Sequence, residues 1–364
     1  MEYNYTHGGD VYRNPIEYDF SINVNPLGMP LASIQAAHEG VVLTGRYPDY
    51  KAEQLCHAIA KAKQIPADRI IPGNGAAELL YALGQTIPGK ALTIAPTFTG
   101  YAEAVAAGGG EMSYAGCEDA DGRAADMDGQ DKLQFDSETV IQRLLEKLDD
   151  SIRLVFLCNP NNPTGTLFTR EQILRVLAKA EAMQVYVCVD ECFLPFLEEE
   201  ASYSMLPYLA KHPRLLVLRA FTKIYCMAGL RLGYLACGDT ELQSRIRVKL
   251  QPWNTSIPAQ MAGIAALSDT EYLAKTRENL QAERAYLVPR LCELVAEVYD
   301  GYGNFLLFRD EPDLKERMLE VGVLIRACDD FEGLDDTYFR IGIRSHSENQ
   351  EFIRRLARVK NVVK

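Results

Sequence analysis

Several features that would give a chain of this length away are missing. No apolar run is long enough to span a bilayer, so a helical membrane protein is not expected. No block of Lys or Arg stands out, and 50 acidic against 38 basic residues leave a formal charge of −12. Neither nucleic acid nor an anionic membrane is an expected partner, and any anionic ligand has to be met by a few locally placed arginines. The nine cysteines contain no Cys-x-x-Cys pair, are odd in number, and mostly lie in apolar runs such as "VYVCVDEC". Buried, reduced thiols are the expectation, with no disulfide frame and no metal site. The opening "MEYNYTHGGDVYRN" lacks a signal-peptide pattern, and a cytoplasmic protein is expected. There is no internal repeat. One acidic, Gly-rich stretch (118–136) has the wrong ligand spacing for a calcium loop and reads as a connecting loop.

The middle of the chain alternates short apolar runs with helical patterns. "RIIPGNG" precedes "AAELLYALGQTI", "KALTIAPTF" precedes "TGYAEAVAAGG", and "IRLVFLCNPNNPTG" precedes "REQILRVLAKAEAM". "QVYVCVDECF", "RLLVLRAFTK" and "LRLGYLACG" follow in succession. Short β-branched and aliphatic runs bounded by Gly, Pro or Asn are the pattern of buried strands in a mostly parallel sheet, and their alternation with helices makes this an α/β domain. After "QPWNTSIPAQ" a long helical pattern runs from about Glu271 to Val298, followed by short strands and a terminal helix. That texture fits a smaller α+β domain.

Ligands of open α/β sheets gather at the carboxyl ends of the strands. There the chain places "GNGAAE", whose Gly75, Ala76 and Ala77 open a helix that Glu78 can cap. This is either a phosphate site or a plain tight turn. Phe98 and Tyr101 follow the next strand, as core or as a stacking surface. Asn162 lies in "NPNNPTG", a turn by composition whatever else it does. Asp190 ends "VYVCV", where a carboxylate needs a cation or donors. Thr222, Lys223 and Arg231 come last. Together they suit a ligand with a phosphate, a flat ring, a group that needs a buried carboxylate, and a carbonyl that captures an amine. Pyridoxal 5′-phosphate has all four.

The ordered set "GNGAAE", "PTF", "NPNNPTG", "DECF", "FTKIYCMAGLRLGY" and "RIGIR" resembles the fold-type-I, aspartate-aminotransferase-like superfamily of pyridoxal-phosphate enzymes, over nearly the whole chain. The opening "HGGDVYRNPIEYDFSINVNPLGMP" is similar to the threonine-phosphate decarboxylases of cobalamin biosynthesis, near relatives of the histidinol-phosphate aminotransferases. The resemblance implies a large domain (40–255) with a mostly parallel seven-stranded sheet flanked by helices. It also implies a small C-terminal domain (256–364), to which an N-terminal arm (1–39) contributes. It implies that Lys223 forms the Schiff base and moves the proton, and that Asp190 pairs with the pyridinium nitrogen. Asn162 would meet the phenolic oxygen and Phe98 would stack on the ring. Thr222, Arg231 and the N–H groups after Gly75 would hold the phosphate. Tyr47 would reach that phosphate from the other subunit of a homodimer with shared active sites.

For the substrate it implies Arg340 for the carboxylate and Arg326 for a phosphate, with His7 and Arg344 completing that pocket and Asn25 lining it. Where aminotransferases of this group carry Asp-x-x-Tyr, this chain has Phe193, and the missing hydroxyl favours a reaction other than transamination. The expected reaction is decarboxylation of an O-phospho-amino acid, threonine phosphate to aminopropanol phosphate. The alternative is amino transfer on histidinol phosphate.

Overall fold

The computed structural model describes residues 7–116 and 135–361, so Cys117 and residues 118–134 of the acidic stretch lie outside it. A two-residue strand, β1 (Tyr18–Asp19), starts the regular structure. The large sheet follows from β2 (Ile70–Gly73), β3 (Lys90–Ile94), β4 (Glu111–Ala115), β5 (Ile152–Cys158), β6 (Tyr186–Asp190), β7 (Leu215–Ala220) and β8 (Gly233–Cys237). Their order is β2-β8-β7-β6-β5-β3-β4. Only β8 runs against its neighbours β2 and β7; every other pairing is parallel. Strands covered on both faces carry no polar alternation, and all of β2, β7 and β8 is buried.

The C-terminal sheet consists of β9 (Glu297–Tyr299), β10 (Phe305–Arg309), β12 (Arg326–Ala327) and β13 (Tyr338–Gly342), antiparallel in the order β12-β13-β10-β9. Between them β11 (Val323–Leu324) pairs in parallel with β1, so the arm is stitched to the end of the chain. The helix expected to run to Val298 spans Thr270–Cys292 instead. Residues 297–299 are in β9, where β-branched Val298 pairs with Phe308. A strand partner outweighs the helical pattern there.

Behind the ends of β6 and β7 lies a buried ionic network. Arg219 bonds Glu191 through Nε at 2.9 Å and again through Nη2, and also meets Glu200, which takes Lys63 at 2.8 Å and Arg277 at 3.0 Å. Burial alone would raise the Glu200 carboxyl, but Arg219 and Lys63 outweigh it and hold it at about 2. Removing one partner strands the others without water, so Arg219→Met is expected to cost about 3–5 kcal/mol in urea unfolding.

Candidate active site

Strand β7 runs straight into a single helical turn, Phe221–Ile224, which carries Thr222 and Lys223. Lys223 Nζ donates to Asn23 Oδ1 at 3.0 Å. Burial, then the charges of Arg340 and Arg231, lower its pKa from 10.5 to about 8. The unfolded chain binds the proton more tightly, so this group's penalty on folding is complete below pH 8 and fades as the pH rises toward 10.5. In the cofactor-free protein, the rate of Lys223 capture by an aldehyde is expected to rise through about pH 8 and then level off. An ordinary lysine keeps gaining to above pH 10. Rates of aldehyde capture against pH, compared with Lys223→Ala, check this.

Asn25, expected on the substrate side, is spent on support. Its amide donates to Ile224 O and Thr276 Oγ1, both at 2.8 Å, and its Oδ1 accepts from Leu27 N–H at 3.0 Å. Its own N–H donates to Lys223 O at 3.0 Å, so it braces the lysine turn from behind. The residue that reaches the amine is Asn23, which sequence reasoning missed. The Asn-Pro-Leu-Gly that follows was the usable signal, because Asn before such a turn caps it with its own side chain.

Asp190 closes β6 and is buried, which raises its pKa. Two donors offset that cost: Tyr101 Oη at 2.8 Å on Oδ2 and Cys192 N–H at 2.9 Å on Oδ1. Tyr101 stacks flat on Phe156, with centroids 4.8 Å apart, and takes the edge of Phe98 at 5.4 Å. A Cβ on Gly100 would lie 2.5 Å from the Phe98 ring, so the bare glycine is what admits that ring. Of the two asparagines in "NPNNPTG", Asn161 is consumed by Pro96 O, Thr97 and Thr164. Asn162 Oδ1 accepts from Arg340.

Gly75 has φ +80° and opens the twelve-residue helix Gly75–Thr86, with Glu78 accepting from Asn74 N–H at 2.7 Å. A Cβ on Gly75 would sit 2.8 Å from Arg231 Nη2. The glycine therefore lets that guanidinium lie against the helix start, beside the N–H groups of Ala76 and Ala77. Tyr47 is on the surface, 75 % exposed, stacked on Trp253 at 4.5 Å.

The substrate candidates differ sharply in what they hold. Arg340, on β13, donates to Ser21 O at 3.0 Å and to Asn162, both neutral, and its buried Nε has no partner. Burial lowers its pKa to about 10. Arg326, on β12, is opposite Arg340 in register and grips both oxygens of Asp330, at 2.7 and 2.6 Å. Arg344 is paired with Glu348 at 3.1 Å. His7 lies 3.3 Å from Glu103 with its ring 6.0 Å from Phe98. Phe193 is buried, edge-on to Phe305 at 5.1 Å.

These residues fit pyridoxal 5′-phosphate. The cradle at Gly75 and Arg231 suits a phosphate and the buried Asp190 suits a protonated ring nitrogen. Asn23 Nδ2, also buried without a partner, is beside the amine as a donor to spare. When bound, the cofactor supplies an electron sink for a bond broken at the substrate's α-carbon.

Known proteins agree with that fit. A family model described as aminotransferase class I and II matches residues 15–356. A threonine-phosphate decarboxylase of Salmonella typhimurium is 33% identical over 99% of this chain and 97% of its own length. Histidinol-phosphate aminotransferase 1 of Cupriavidus pinatubonensis is also 33% identical, over 92% and 86%. The solved histidinol-phosphate aminotransferase of Clostridium acetobutylicum superposes with a TM-score of 0.83 at 29% identity, covering 95% of this chain and all of the other. The protein belongs to the class I and II aminotransferase family and is a fold-type-I enzyme that depends on pyridoxal phosphate.

Proposed function

We propose that the protein decarboxylates an O-phospho-amino acid, L-threonine O-3-phosphate, to aminopropanol phosphate of the kind used in cobalamin biosynthesis, in the cytoplasm. The observation that carries this reading is the pair of buried arginines set opposite each other on β12 and β13. Two guanidiniums side by side suit a small substrate with an anion at each end. Arg340, with neutral partners and a spare Nε, takes the carboxylate; Arg326 takes the phosphate. Arg340 and Arg326, by holding the two anionic ends, would thus fix how the substrate's α-carbon is turned in the site and which of its bonds the cofactor's electron sink would act on. Lys223 holds the proton that replaces the carboxylate, Asp190 holds one at the ring nitrogen, and Arg231 with the helix start anchors the phosphate. Phe193 supports the reading, since the phenolic oxygen loses a hydroxyl donor that amino transfer ordinarily uses.

The second reading, amino transfer on histidinol phosphate, is favoured by the equal identity to such an enzyme. Carbon dioxide released from phosphothreonine, with no glutamate formed from histidinol phosphate and oxoglutarate, is the expected result. The reverse outcome removes the decarboxylase reading.

The same proposal includes a homodimer in which Tyr47 reaches the partner's cofactor phosphate. Its support is that Tyr47 is exposed and stacked on Trp253, itself exposed, with Tyr50, Leu31 and Val42 further exposed apolar side chains. Sedimentation equilibrium is expected to give twice the chain mass. A monomer at micromolar concentration that is fully active would overturn it.

A further inference from the structure

We propose that Asp330 is a built-in competitor for the substrate's phosphate, occupying Arg326 until that anion displaces it; this rests on the reading that Arg326 is the phosphate-binding arginine.

The two arginines on β12 and β13 are not equivalent. Arg340 faces only neutral acceptors, whereas Arg326, with its side chain 7 % exposed, is neutralised by a carboxylate four residues on. A turn sets the position of that carboxylate. Cys328 N–H donates to Tyr338 O at 2.8 Å and Phe331 N–H to Cys328 O at 3.0 Å, while the buried Phe331 ring lies 5.2 Å from the Arg326 guanidinium. Asp330 is therefore delivered to Arg326 by main-chain geometry. A guanidinium this buried, with a second arginine opposite, is costly without a counter-charge. Asp330 supplies one, and a substrate phosphate has to win Arg326 from it.

The chemistry gives that toll a use. Decarboxylation cleaves the bond from the α-carbon to the carboxylate, carbon dioxide departs, and a proton takes its place. The product keeps its phosphate and loses its hold on Arg340. Whatever grips the phosphate then sets how fast product leaves, and a tethered carboxylate ready to re-pair with Arg326 speeds that exit. The same competition weakens every ligand anion at this arginine, and reaches a carboxylate at Arg340 only through the more distant charge of Asp330.

Calorimetry on the holoenzyme, whose cofactor phosphate site is filled, reads this with inorganic phosphate as the probe. Asp330→Asn keeps the shape of the side chain and removes its charge. It is expected to bind phosphate about tenfold more tightly or better, with a much smaller gain for threonine, whose carboxylate goes to Arg340 and feels Asp330 only at longer range. The gain should vanish in the Arg326→Gln, Asp330→Asn double variant. Unchanged or weaker phosphate binding in Asp330→Asn, or a gain that survives loss of Arg326, overturns the proposal. Should the variant lose its fold, phosphate but not chloride restores it if Arg326 is the seat of the anion, and failure of that rescue also overturns the proposal. These arms need no turnover. Tighter phosphate binding with no carbon dioxide release would keep this inference and remove the decarboxylase reading.

Discussion

Lys223→Ala, purified with pyridoxal phosphate, is expected to turn over phosphothreonine at least about 10⁴-fold more slowly than the wild type, because it removes both nucleophile and proton carrier. The absorbance of cofactor joined to the lysine should disappear as well. Lys63, another largely buried lysine, is already held by Glu200 at 2.8 Å in the ionic network behind the sheet. Fold should survive, since the one side-chain bond lost among the described residues is the 3.0 Å contact to Asn23. Steady-state assay together with an absorbance spectrum checks both halves. Activity within tenfold of wild type would mean that the chemistry does not pass through this amine.

Asp190→Asn is expected to lower turnover by about 10²–10³-fold while leaving thermal stability equal or higher. The two bonds to the carboxylate explain why loss of charge separates from loss of shape. The Asn carbonyl can accept from Cys192 N–H where Oδ1 does now, and its amide can donate to the Tyr101 oxygen where Oδ2 accepts now. A neutral group also escapes the burial penalty that raises the Asp190 pKa. What vanishes is the negative charge that a protonated ring nitrogen needs. Melting curves and kcat measured side by side are the test. A fall in both would show that the carboxylate is mainly structural.

How much of this was legible in the chain depends on whether a residue's role is local. Lys223, Asp190 and Gly75 stand at strand ends and helix starts, and the apolar run before each marks the position without any knowledge of neighbours. The mostly parallel sheet was legible for the same reason, because strands without polar alternation announce that both faces are covered. What failed to show were pairings across the fold. Nothing near Asn23 or Asn25 says which one meets an amine 200 residues away, and the Asn-Pro turn was the only local hint. Tyr101 reads as a core aromatic until Asp190, 89 residues further on, is seen to need its hydroxyl. Arg326 had its counter-charge four residues away, but i,i+4 implies contact only in a helix, and here a turn closes the gap. The helix that ends at Cys292 shows the same limit, for the partner strand that captures residues 297–299 lies further along the chain.

The arm that threads between the two sheets has a bearing on how the protein is made. Ser21 O receives Arg340 across 319 residues, and β1 pairs with a strand more than 300 positions later. At ribosomal speeds of about 5–20 residues per second, the segment that emerges first waits about 16–64 s for its partner to exist. Throughout that interval its apolar residues, Phe20 among them, have no native surface to cover them. The newborn chain can complete its central sheet while its leading end is still unhoused. Chaperone demand during synthesis should therefore peak late, and should fall on the segment around β1 and Phe20.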